Sequence, residues 1–143
     1  MILPDVNILV YAHDKAALRH AAYRAWLLET VQGNSTYGLS DLVLSGFLRI
    51  VTHSRILNTP LSATDALSIA QDLRGRPNCL VIEPGKRHWS IFTELCEEVK
   101  ATANSVPDAY FAALAIESGS EWITADKGFS RFPGLKWRHP LDS

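Results

Sequence analysis

Apolar positions along this chain alternate between short uninterrupted runs and longer stretches with helical spacing. Residues 2–11 form the first run, Ile2-Leu3-Pro4 then Val6 and Ile8-Leu9-Val10-Tyr11, broken only by Asp5 and Asn7. Such a run reads as a buried parallel strand followed by a helical turn, because a strand covered on both faces loses the in–out alternation of a half-exposed one. Ala22, Trp26 and Leu27 predict a helix over 19–31, ended by Gly33, and a short strand follows over 36–39. Leu42, Val43, Phe47, Ile50 and Val51 repeat at helical spacing through Ser54. Ser62-Ala-Thr-Asp65 resembles a capping box with Asp in place of Glu, opening a helix to about Leu73. Leu80-Val81-Ile82 is a short buried strand, and Phe92, Leu95, Cys96 and Val99 mark a helix running from Lys86 to near Ala103. Pro107 suits the first turn of an alanine-rich helix ending at Ser118, with Gly119 as its C-cap. Strands at 122–124 and 135–137 complete the pattern. Strands alternating with helices predict an α/β fold, a central parallel β-sheet flanked by helices on both faces.

At 143 residues the chain is expected to be one domain, residues 1–143, without internal repeat or linker. Hydrophobic residues make up 47% and charged residues 20%, the proportions of a globular chain rather than a disordered one. Fourteen Lys and Arg against fifteen Asp and Glu leave a net charge of −1, which argues against binding nucleic acid by bulk charge but leaves room for a local basic patch. Cys79 and Cys96 lack metal-ligand spacing and are expected to be small core residues. The amino terminus lacks a signal-peptide pattern, and no apolar run reaches the ~18 residues of a membrane span, so a cytoplasmic protein with no membrane partner is expected.

In an open parallel sheet, sites collect at the carboxyl ends of the strands, near the reversal of strand order. Asp5 follows the first strand, Asp126 follows the strand at 122–124, and Asp108 stands in the first turn of the helix at Pro107. Each has a bland alternative: Asp5 and Asp126 as turn residues, Asp108 as a favourable charge on a helix dipole. Gathered on one rim, three carboxylates repel one another unless a cation joins them, and an all-oxygen ligand set suits Mg2+, with Mn2+ as a substitute. Phosphodiester hydrolysis is the matching reaction, since such a metal positions water and offsets charge on the phosphate.

Asp5-Val-Asn7, then Val106-Pro-Asp108-Ala109 with Ala112-Ala113-Leu114-Ala115, then Thr124-Ala-Asp126-Lys-Gly-Phe129 before Phe132-Pro-Gly134-Leu135, resemble the motifs of PIN-domain ribonucleases, in particular VapC toxins of type II toxin–antitoxin systems. The resemblance implies a PIN fold and an Mg2+-dependent endoribonuclease. It makes Asp5 and Asp108 the principal metal ligands, with Asp126 adding charge and aiding a second metal or the attacking water. Thr124 matches the family's supporting hydroxyl, Asn7 would orient Asp5, and Asn104 could hydrogen-bond near the metal, with local backbone capping as the alternative for both asparagines. It further implies a homodimer held inactive by a VapB-type antitoxin whose tail lies across a hydrophobic groove.

One position departs from the pattern: Gly46 stands where many PIN nucleases carry a glutamate. A water, Asp41 or a substrate phosphate would supply the missing oxygen; otherwise the protein is a catalytically weak module that binds RNA or antitoxin. Arg49 and His53 follow Gly46 on one helix face, where Arg49 could grip RNA phosphate and His53 reads as solvated. Lys127 and Arg131, with Lys136 and Arg138, concentrate positive charge after Asp126 along a possible RNA path. Trp89 and Trp137 could stack on unpaired bases, although core packing is the expectation for both. A phosphoacceptor domain is disfavoured because Asp5 has no acidic neighbour before Asp14.

Overall fold

The computed structural model describes residues 1–142. Strand β1 (Ile2–Pro4) lies at the centre of a five-stranded, wholly parallel sheet of order β3-β2-β1-β4-β5, with β2 at Tyr37–Leu39, β3 at Cys79–Val81, β4 at Glu121–Ile123 and β5 at Trp137–Arg138. Helices α1 (Val6–His13) and α2 (His20–Gln32) connect β1 to β2, α3 (Asp41–Val51) and α4 (Ala63–Gly75) connect β2 to β3, and α5 (His88–Val99) and α6 (Ser105–Glu117) carry the chain back to β4. Right-handed crossovers out to one edge and back past the centre put α1 to α4 on one face and α5 and α6 on the other. This is the α/β architecture that the alternation of patterns predicts.

Local chemistry explains where the elements begin. The first apolar run gives only three strand residues, because the Asp5 carboxylate accepts a hydrogen bond from the Val6 amide at 2.6 Å and so caps α1 at once. Ser40 caps α3 by accepting from the Val43 amide at 3.1 Å, and Ser62 caps α4 by accepting from Asp65 at 3.1 Å, as its capping-box pattern predicts. In α6, Ala109, Ala112, Ala113 and Ala115 are completely buried, and their small side chains let the helix lie close on the sheet. Phe111 stacks on Trp122 at 5.3 Å, and Trp122 meets Phe129 at 5.5 Å, so the core runs from α6 through β4 into the segment after it. Gly38 of β2 has no space for a side chain, since a Cβ there would stand 2.8 Å from Ile82 Cγ1.

Four expectations are corrected. Strand β3 is an edge strand rather than a buried one: Leu80 is 51% exposed, since only β2 pairs with it. Helix α5 stops at Val99 instead of near Ala103, because Lys100 and Ala103 adopt left-handed backbone (φ 52° and 48°). Trp89 is 71% exposed and meets Phe92 at a tilt with ring centres 5.6 Å apart, outside the core, whereas Trp137 does pack against it. Cys79 and Cys96 are free thiols, only partly buried at the margin of the core.

Candidate active site

Asp5 leaves the carboxyl end of β1 beside β4, where the strand order reverses. Its amide donates to the Ile123 carbonyl at 2.8 Å, which fixes the backbone. Its two carboxylate oxygens accept from different neighbours, Oδ1 from the Val6 amide and Oδ2 from the Thr124 hydroxyl at 2.7 Å. At 6% exposure the carboxylate has lost most of its water. Burial pushes its pKa up from 3.8 to about 6, the charges of Asp108 and Asp126 push the same way, and the two hydrogen bonds oppose the rise.

Thr124 ties the ends of the two central strands together. Its fully buried hydroxyl donates to Asp5 and accepts from Asn7 Nδ2 at 3.3 Å and from the Asp126 amide at 3.0 Å. Asn7 completes the link by accepting from the Ala125 amide at 3.3 Å. One hydroxyl and one carboxamide therefore set the spacing between Asp5 and Asp126, so Asn7 is not merely capping its own helix.

Asp126 is exposed and caps a 3-10 turn, Lys127–Arg131, by accepting from the Gly128 amide at 2.8 Å. Asp108, in the first turn of α6, faces the end of that turn: Arg131 Nη2 donates to its Oδ2 at 2.9 Å. Burial raises the Asp108 pKa, the Arg131 guanidinium opposes that rise, and the Asp126 charge adds to it. Charges on Asp5, Asp108 and Asp126 thus act on one another across the rim.

Beside the acids opens a cleft of about 670 Å³, lined by Asp5 and Asn7 of the rim, by Gly46 and Arg49 of α3, and by the exposed apolar side chains of Leu42 and Ile56. A second depression of about 930 Å³ lies near Met1, Gly33 and Arg138 and contains none of the three acids. The oxygen donors of Asp5, Asp108 and Asp126 fit a hard divalent cation in kind. As placed, however, no three carboxylate, imidazole or thiolate groups among the described residues stand close enough together to hold a metal ion. Arg131 engages Asp108 Oδ2, one of the oxygens such an ion would draw on.

The remaining candidates fall in different places. Arg49 lines the cleft and is exposed, and Lys127 is exposed in the 3-10 turn, while Arg131 points back into the acidic rim rather than along the surface. Asn104 precedes α6, exposed and without a side-chain capping hydrogen bond, so it neither caps nor supports the acids. His53 is half-buried, and its Nδ1 accepts from the Arg55 amide at 3.0 Å. Asp41, which the sequence offered in place of the acid absent at Gly46, pairs with Arg74 at 2.8 Å and is not among the residues lining the cleft. A Cβ at Gly46 would meet Val6 Cγ2 at 3.0 Å, so α1 and α3 pack closely where an acidic side chain would otherwise emerge. Asp14, on the cleft wall beside Tyr11, escaped the sequence reading because nothing about its spacing separates it from helix surface.

The PIN-domain family model matches residues 2–135. Ribonuclease VapC43 of Mycobacterium tuberculosis (strain H37Rv) is 43% identical over 142 residues, covering 99% of this chain and 97% of the relative. Ribonuclease VapC33 of the same strain is 36% identical, over 99% of both chains. Among solved structures, the fold resembles a chain of VapBC2 from Rickettsia felis bound to a promoter DNA fragment, with a TM-score of 0.70 at 23% identity and 97% and 98% of the two chains covered. With these matches spanning nearly its whole length, the chain belongs to the PIN-domain family, within the group of VapC ribonucleases.

Proposed function

We propose that this protein is the toxic component of a type II toxin–antitoxin system, an endoribonuclease that hydrolyses RNA phosphodiester bonds with Mg2+ at Asp5, Asp108 and Asp126. The reading is carried by the placement of these acids at the carboxyl ends of β1 and β4 and the start of α6: Thr124 links Asp5 to Asp126, and Asp108 faces the turn that Asp126 caps. Keeping three carboxylates together is unfavourable, and the fold tolerates it here by fixing Asp5 with two hydrogen bonds and pairing Asp108 with Arg131. Asp5 and Asp108 are the proposed metal ligands, and Asp126 adds charge beside them. When bound, Mg2+ or Mn2+ would supply a polarised water and a counter-charge for the phosphate.

Each remaining residue has a positioning task in this account. Thr124 holds the Asp5 carboxylate and the Asp126 amide in register, and Asn7 holds Thr124. Arg49, exposed on the cleft wall, and Lys127 meet the RNA backbone. With the three aspartates set apart, fourteen basic residues face twelve acidic ones, so the surround of the acidic pocket is mildly basic although the chain carries −1. RNA binding is then expected to weaken as salt rises.

Antitoxin and dimer partners follow the same reading. Leu42 at 46% and Ile56 at 51% exposure give the cleft an apolar wall next to the acids, suited to a VapB-type segment that covers the pocket. A homodimer and a cytoplasmic setting complete the proposal; the two free thiols agree with a reducing compartment. No helix among the described residues is long and apolar enough to cross a membrane. The test is to incubate antitoxin-free protein with structured RNA in Mg2+ or Mn2+. Cleavage that stops in excess EDTA supports the reading, and full cleavage in EDTA refutes it.

A further inference from the structure

Arg131 makes two contacts that a surface arginine on an RNA path would not need. Its guanidinium donates to Asp108 Oδ2 at 2.9 Å, 23 residues away in sequence, and its Cζ lies 4.8 Å from the centre of the Phe132 ring, a cation–π distance. Phe132 is itself buried in the core, so the stacked guanidinium has a fixed platform.

Gly128 supplies a third, independent observation. Its backbone is not left-handed, unlike that of Gly119 and Gly134, so conformation does not demand glycine there. The side-chain arrangement uses it: a Cβ at 128 would lie 2.7 Å from Arg131 Nη1 and 3.0 Å from Asp126 Oδ1, so a larger residue would displace the guanidinium from this place. The glycine is a notch through which the Arg131 side chain passes, next to the Asp126 carboxylate, to reach Asp108. One guanidinium thus stands beside two of the three acids of the rim, held by an ion pair, an aromatic face and the missing side chain at 128.

We infer that Arg131 is a resident counter-cation of the acidic site, which pairs with Asp108 while no divalent metal is bound and competes with a metal for that carboxylate. This deepens the proposed function and rests on its assignment of Asp108 as a metal ligand. A guanidinium paired with one oxygen of Asp108 competes with a metal for the charge of that carboxylate, so the pair lowers the apparent metal affinity in proportion to its own population. Arg131 is therefore a positioning residue: it holds Asp108 in a stand-by state, and its charge is not lost but moved when metal arrives.

The experiment measures Mn2+ affinity of the antitoxin-free protein by electron paramagnetic resonance, with no RNA present, so that cleavage plays no part in the readout. Arg131→Gln is expected to bind Mn2+ about two- to fivefold more tightly than the parent protein, the order expected when a competing, partly exposed ion pair is removed. Lys127→Gln removes the same unit of charge from the same turn but breaks no ion pair, and is expected to change Mn2+ affinity less than twofold. Unchanged or weaker binding by Arg131→Gln overturns the inference alone. Equal tightening by both variants also overturns it, since general charge would then be the cause. If neither the parent protein nor Arg131→Gln binds Mn2+, the metal-site reading falls and this inference falls with it.

Discussion

Replacing Asp5 with asparagine is expected to stabilise the metal-free protein at neutral pH although it removes the central acid of the site. The Asp5 pKa is raised from 3.8 to about 6, chiefly by burial. Between those values the folded protein binds a proton that the unfolded chain has released, so stability falls as pH rises through the window. A displacement of roughly two pKa units is worth about 3 kcal/mol at 1.36 kcal/mol per unit, to order of magnitude. Asparagine does not titrate and retains an oxygen for the Val6 amide, but it gives up the charge-assisted bond from the Thr124 hydroxyl, a loss of about 1.5 kcal/mol. The pH-dependent part separates the two effects. In urea unfolding with EDTA, the parent protein should lose about 3 kcal/mol relative to Asp5→Asn between about pH 3.5 and pH 7. Asp5→Asn should then be about 1.5 kcal/mol the more stable protein at neutral pH. A stability difference that stays flat across this range, or that favours the parent protein increasingly with pH, would refute the argument that burial makes the ionised Asp5 costly.

Thr124→Val keeps the shape of the side chain but leaves Asn7 Nδ2, the Asp126 amide and Asp5 Oδ2 without their shared partner. Denaturant unfolding should show a loss of about 1–3 kcal/mol, and RNA cleavage should fall at least about tenfold as the spacing of Asp5 and Asp126 relaxes. Gly46→Ala ordinarily gains about 0.5–1 kcal/mol in a helix, but here the new Cβ stands 3.0 Å from Val6 Cγ2 and overpacking costs about 1–3 kcal/mol. Thermal unfolding should show net destabilisation that Val6→Ala relieves, and independent, additive effects of the two changes would contradict the close packing of α1 on α3. Introducing an acid at position 46 should therefore raise Mn2+ affinity only together with Val6→Ala; equal gain from Gly46→Glu alone would show that Val6 does not block the side chain.

How much of this was legible in the sequence depends on the reach of each cause. Asp5, Asp108 and Asp126 could be placed on one rim because two follow apolar strand runs and the third opens a helix, and a parallel sheet brings such positions to one edge. Thr124 and Asn7 were legible as neighbours of those acids but not as a hydrogen-bonded link, which depends on β4 lying directly beside β1. The Asp108–Arg131 pair was not legible at all: its partners are 23 residues apart, and the meeting requires the 3-10 turn that Asp126 caps and the notch at Gly128. Lys100 ends α5 in left-handed backbone without a glycine or proline to announce it. Trp89 follows the apolar spacing of α5 yet faces outward, because helical periodicity assigns a face and not the width of the surface that covers it.

The central claim, that the acidic rim is a metal-dependent RNA-cleaving centre, is tested most directly by the rate of RNA cleavage against Mn2+ concentration for the parent protein and for Asp108→Asn. The claim predicts a rate that rises with Mn2+ to a plateau in the parent protein and falls by at least about a hundredfold in the variant, as expected when charge stabilisation of the transition state is lost. Cleavage by Asp108→Asn at the parent rate, or a parent rate that does not depend on Mn2+, would contradict it.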